Sequence, residues 1–63
     1  MGDPMALKAG DLVMITGGPF AGDTGPVHSV DHDRGRVRVL VLIFGDTATV
    51  DLPLSDVDLF QAG

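Results

Sequence analysis

The sequence predicts an all-β fold, a small antiparallel barrel of five strands, and three observations carry this prediction. Residues 37–44 form the longest run without Gly, Pro, Asn or Asp and are rich in β-branched residues, which is typical of a strand. Nine glycines and four prolines divide the rest of the 63-residue chain into short segments. No segment shows a helical period over about 11 residues. Closing the sheet into a barrel would remove the exposed edge strands that promote aggregation.

The first strand is predicted at residues 12–16, followed by a loop at residues 17–25 that contains four glycines and a proline. Such a density of glycine indicates a chain that folds closely upon itself. Phe20 lies at the centre of this loop. Its ring must therefore either cover the end of the core or stand exposed.

The second strand is predicted at residues 26–31. Val27 and Val30 are three positions apart, which breaks strict alternation, and a β-bulge near residues 28–29 would restore it. The composition of residues 31–35 then predicts a hairpin turn that leads into the long strand.

The long strand at residues 37–44 is apolar on both faces. Alternation places Val37, Val39, Val41 and Ile43 on one face, and Arg38, Leu40, Leu42 and Phe44 on the other. A chain of about 60 residues can build one core and not two. The second face must therefore contact a wrapped strand of the same barrel or another protein.

The remaining segments complete the predicted sheet. Gly45 and Asp46 are interpreted as a two-residue hairpin turn with glycine first. A fourth strand is predicted at residues 47–52, a tight turn or single 3₁₀ turn at residues 53–56, and a last short strand at residues 57–61.

Composition excludes several classes of function. The chain has no cysteine, so neither a disulfide nor a Cys-based zinc site can stabilise it. A net charge of -5, with nine acidic and four basic residues, argues against nucleic acid as the main partner. No apolar run approaches the length of a membrane span, and no signal peptide is visible, so we expect a cytoplasmic protein without a membrane partner.

We expect residues 1–6 to be a cloning remnant or the end of a linker, residues 7–61 to be one domain, and residues 62–63 to be a tail. The chain would then be one domain of a longer protein.

The sequence offers little for catalysis or metal binding. His28 and His32, with the neighbouring Asp31 and Asp33, match no known ligand spacing and are interpreted as a polar hairpin. Ser55 has no histidine near it in sequence, and the glycine-rich loop lacks the lysine of a phosphate-binding loop. We therefore expect no enzymatic activity, no cofactor and no metal.

Three arginines, Arg34, Arg36 and Arg38, form a small basic strip that could contact RNA. The competing interpretation is a solvated face that balances Asp31 and Asp33, because three arginines among nine aspartates are a weak footprint for phosphate.

The ordered residues resemble a known family. The first half of the chain resembles the KOW motif, and the second half resembles the C-terminal domain of bacterial NusG-type transcription factors. The residues that carry this resemblance are Gly10 and Asp11, residues 18–22 with Gly25, Val30 and Asp31, residues 36–45, and residues 49–52.

The resemblance implies an SH3-like barrel that works as a docking module and not as an enzyme. In NusG-type factors an N-terminal domain binds RNA polymerase, and the C-terminal barrel recruits the NusE-type ribosomal protein or the termination factor Rho. By position, the contact surface would comprise Phe20 together with Ile43, Phe44 and Gly45, with Asp46 in its middle. We expect the domain to be a monomer.

Several residues depart from the family's pattern. Asp46 stands where arginine is common, Asp23 where a second aromatic is common, and Met14, Leu40 and Leu42 where polar residues are usual. These departures favour a specialised antitermination paralogue with different partners. An RNA-binding KOW domain of the ribosomal kind is a further hypothesis. A domain that switches to a helical hairpin is the last one, and the β-branched content disfavours it.

Overall fold

The computed structural model describes residues 7–60. Five strands form one antiparallel sheet in the order β4-β3-β2-β1-β5, which confirms the predicted all-β class and strand number. Closure of this sheet into a barrel stays a prediction, since β4 and β5 are its two end strands. The strands are β1 (Leu12–Ile15), β2 (Thr24–Asp31), β3 (Arg36–Ile43), β4 (Asp46–Pro53) and β5 (Val57–Leu59), and a 3₁₀ helix, Leu54–Asp56, joins the last two.

Strand β2 joins the two halves of the sheet. Its first residues pair with β1, where Pro26 lies opposite Leu12, and its later residues pair with β3, where Val27 lies opposite Val39. The register shifts between Val27 and Ser29, so the predicted β-bulge is confirmed. A bulge bends its strand and increases the local twist. This allows one eight-residue strand to serve two sets of neighbours.

One face of the sheet forms an entirely apolar core. The alternation predicted for the long strand is confirmed, because Val37, Val39 and Val41 are buried, and β1 follows the same pattern with Val13 and Ile15 buried. Within residues 7–60 no polar or charged side chain is buried. The ten buried core residues are Leu7, Val13, Ile15, Val27, Val37, Val39, Val41, Leu52, Leu54 and Val57.

The hairpin between β3 and β4 differs from its prediction. Strand β3 ends at Ile43, which pairs with Asp46, so the two turn residues are Phe44 and Gly45 and not Gly45 and Asp46. Both turn residues have positive φ, of 51° and 83°. Positive φ at both central positions belongs to the type I′ turn, whose twist matches that of the flanking strands. The prediction that Phe44 continues the strand is therefore wrong.

Smaller differences concern strand ends. Strand β2 begins at Thr24, two residues earlier than predicted, so Gly25 belongs to the strand and not to the loop. Of the two alternatives predicted for residues 53–56, a tight turn or a single 3₁₀ turn, the structure has a 3₁₀ helix at Leu54–Asp56. The expectations for residues 1–6 and 61–63 lie outside the described residues. Across the described part of the chain, no helix is long and apolar enough to cross a membrane.

Candidate docking site

The topology brings the glycine-rich loop and the β3–β4 turn to the same end of the sheet. Strand β2 leaves the loop at Thr24, and β3 runs antiparallel to it and ends at Ile43. Residues of both strands near this end, among them Pro26 and Leu42, line one shared concavity. This end, called the docking end below, comprises the loop at residues 17–23 and the turn at Phe44 and Gly45.

Phe44 is the most exposed large apolar side chain among the described residues, with a relative exposure of 103%. Its φ of 51° lies in the left-handed region, which bulky side chains avoid. Holding such a residue there costs on the order of 1–2 kcal/mol. The backbone of Phe44 therefore raises the free energy of the folded state, and burial of its ring does not offset this cost. Strained residues of this kind are found at functional sites.

The two neighbours of the turn have different surroundings. Ile43 is half-buried and packs against the core, so only part of its side chain can contact a partner. Asp46 lies opposite it at the start of β4 and is exposed. The structure thus places Ile43, Phe44, Gly45 and Asp46 together in one hairpin.

Phe20 is held by two successive turns inside the loop. The Ala21 N–H donates to the Gly18 carbonyl over 3.2 Å, and the Asp23 N–H donates to the Phe20 carbonyl over 3.1 Å. The loop is closed on β1, where the Ile15 N–H donates to the Asp23 carbonyl over 2.8 Å. The Phe20 ring is half-buried and packs against the core. Most of the exposed apolar surface at this end therefore belongs to Phe44 and its neighbours on β3.

Sequence reasoning missed a concavity on the outer face of the sheet beside this turn. Its volume is about 370 Å³. It is lined by Thr24, Gly25, Pro26, Leu40, Val41, Leu42 and Thr47. Leu42 has a relative exposure of 75%, so part of the second apolar face of β3 is uncovered in the structure. The signal that could have located the concavity is Gly25, since a glycine inside a strand marks a close approach of another backbone.

The arginine strip lies at the opposite end, beside the β2–β3 hairpin. Arg36 Nε donates to Asp51 Oδ1 over 3.1 Å, and Arg34 Nε lies 3.8 Å from Asp31 Oδ2. With Arg38, these groups line a second concavity on the same hairpin. Carboxylates therefore partner two of the three arginines.

We expect the exposed Arg36–Asp51 pair to contribute little to stability. Both side chains are about half exposed, at 45% and 52%, and solvent screens such pairs to roughly 0–1 kcal/mol. Asp51→Asn should thus lower the free energy of unfolding by less than about 1 kcal/mol in urea denaturation. A loss above about 2 kcal/mol would show instead that this pair organises the hairpin.

The described part of the chain offers no cluster for a metal ion. Among residues 7–60 no group of three or more His and Asp side chains is placed to hold one. His28 and His32 are both exposed.

Comparison with known proteins gives concordant results. The family model described as the KOW motif matches residues 9–51. The chain is 49% identical over 51 residues to the transcription termination/antitermination protein NusG of Deinococcus radiodurans, covering 81% of this chain and 27% of the relative. It is 43% identical over 53 residues to NusG of Thermus thermophilus, covering 84% of this chain and 29% of the relative.

A solved structure that concerns domain interaction in Thermotoga maritima NusG superimposes with a TM-score of 0.82 at 36% identity, covering 89% of this chain and 32% of that one. The chain spans less than a third of the length of the curated relatives it matches.

Proposed function

Because the chain belongs to the KOW family and is a KOW domain of the NusG type, we propose that it is the recruitment domain of a NusG-type transcription factor. In this proposal it docks the NusE-type ribosomal protein or Rho and so links transcript elongation to translation or to termination. The factor works in the cytoplasm, and a further domain of the same protein contacts RNA polymerase.

The observation that supports this function is the full exposure of the Phe44 ring on a backbone of positive φ. A fully exposed ring on a strained backbone stabilises nothing within the described part of the domain. Aromatic side chains are enriched among the residues that dominate binding energy at protein interfaces. Gly45, which has no side chain, lets a partner's backbone approach the ring closely. Phe20 and Ile43 pack against the core at the same end, and the exposed Asp46 lies directly after the turn.

The mechanism is tethered recruitment. A domain linked to a polymerase-bound domain meets its partner at a high effective concentration, so a modest affinity is sufficient for capture. The end strand β4, which begins at Asp46, could also accept an added strand from the partner.

An amide NMR titration of the domain with purified NusE-type ribosomal protein, and then with Rho, tests this proposal. We expect saturable shifts centred on Phe20 and residues 43–46. Phe44→Ala should weaken binding by about 2 kcal/mol, roughly 30-fold, because it removes the exposed aromatic anchor. The variant's own amide spectrum reports whether its fold is intact.

The proposal fails if Phe44→Ala binds both partners as tightly as the parent domain, or if the shifts centre on the arginine strip. Absence of binding to both partners would favour a specialised antitermination factor with different partners. Asp46 supports that second candidate, because reversing a charge at a contact can cost several kcal/mol towards a partner of the wrong sign.

A further inference from the structure

Charge is divided between the two ends of the domain. Residues 14–25, 40–49 and 54–60, which build the docking end and the segments beside it, contain no Lys, Arg or His. The three arginines all lie on the β2–β3 hairpin and strand β3, at the other end. Among residues 7–60, these segments therefore place negative charge at the docking end with no cationic side chain of their own to neutralise it.

The aspartates of these segments are Asp23, Asp46, Asp56 and Asp58. The three ion pairs within residues 7–60 use other carboxylates, those of Asp11, Asp31 and Asp51. Asp46 adjoins the turn directly, and Asp23 immediately precedes Thr24, the first residue of β2 and a lining residue of the concavity. Asp56 lies beside the loop, since its backbone carbonyl accepts a 2.7 Å hydrogen bond from the Thr16 N–H.

An apolar surface lies beside the turn that Asp46 adjoins and at the start of β2, which Asp23 precedes. Phe44 is fully exposed, Leu42 is three-quarters exposed, and the concavity beside them is walled by Pro26 and Leu40. Its volume of about 370 Å³ lies within the range of pockets that accept a ligand group. The surface thus offers a place for an apolar side chain, and the exposed Asp23 and Asp46 directly precede two of its lining residues in the chain.

We infer that the docking end selects a partner segment in which an apolar side chain is flanked by lysine or arginine. The apolar side chain enters the concavity between Pro26 and Leu42 and contacts the Phe44 ring. The cationic groups face Asp46 and Asp23. This inference rests on the proposed function and specifies the chemistry of the partner.

Charge complementarity of this kind mainly affects the association rate and the specificity for one partner over another. Opposite charges on two surfaces raise the association rate at low salt, and like charges repel wrong partners. The exposed aspartates are screened by salt, so the preference for a cationic partner should decline as ionic strength rises.

Two synthetic peptides test the inference. They share a central segment that alternates threonine with Val, Ile or Phe, and they differ only in their flanks, which carry two lysines on each side in one and two glutamates in the other. Amide NMR titration at low ionic strength should show the lysine peptide binding about tenfold more tightly than the glutamate peptide. The shifts should centre on residues 23–26 and 40–47.

The variant Asp23→Asn/Asp46→Asn should weaken the lysine peptide about fivefold. Asp33→Asn, which removes one carboxylate in the hairpin turn at the other end, is the control for loss of charge away from the docking end and should alter the affinity less than about twofold. Equal affinity for both peptides, or shifts outside the docking end, would overturn the inference. If neither peptide binds while the NusE-type protein or Rho does, the inference fails and the proposed function stands. If the lysine peptide binds as expected and neither protein does, the partner chemistry holds and the named partners are wrong.

Discussion

Gly25→Ala is expected to destabilise the domain by about 3 kcal/mol. This is a large part of the free energy of unfolding of a protein domain, which is roughly 5–15 kcal/mol. A Cβ built on Gly25 would overlap the carbonyl oxygen of Leu40 and lie 3.1 Å from its carbonyl carbon. Both atoms belong to the backbone of β3, so relief requires a shift of the strand itself. Thermal unfolding followed by circular dichroism should show a Tm lower by about 12–24 °C.

Gly17→Ala is the matched control for this prediction. A Cβ at Gly17 would lie 2.8 Å from Asp56 Oδ1, which is the far end of a flexible and partly exposed side chain. The carboxylate can move away, so the variant should lose less than about 1 kcal/mol. Neither glycine has a positive φ, and the comparison therefore isolates steric overlap from backbone conformation. Equal Tm values for the two variants would contradict the close approach of β2 and β3.

The position of Gly25 illustrates where sequence reasoning stopped. Alternation predicts which side chains of β3 share a face, and the spacing of Val27 and Val30 locates the bulge, because both depend on local periodicity alone. The approach of Leu40 to Gly25 depends on how β2 bends between its two neighbours. That bend is a property of the assembled sheet, which local periodicity does not describe.

The β3–β4 turn shows a second kind of limit. Two-residue hairpin turns favour glycine, asparagine or aspartate at positions of positive φ. Sequence alone therefore predicts Gly45 and Asp46 as the two turn residues. The structure instead pairs Ile43 with Asp46 and leaves Phe44 at positive φ. Burial of alternate valines fixes the register of β3, and that register decides which residues turn. The register of β3 therefore holds Phe44 at a positive φ, which a phenylalanine backbone disfavours.

Phe44→Asn is expected to stabilise the domain and to weaken docking. Asparagine tolerates the left-handed region, and Asn followed by Gly is the preferred pair for a type I′ turn. The exposed ring makes no core packing that could be lost. The free energy of unfolding should therefore rise by about 1 kcal/mol, and the Tm by about 4–8 °C. Binding to the recruited partner should weaken by about 2 kcal/mol or more.

Phe44→Tyr separates the two effects. Tyrosine keeps an aromatic ring and the same backbone cost, so both stability and docking should stay close to those of the parent domain. A loss of stability in Phe44→Asn would mean that the ring packs within the domain. Tight docking by that variant would mean that the partner binds elsewhere. Opposite changes in stability and binding, from one substitution, would show that the domain retains this ring for contact with a partner at the expense of its own stability.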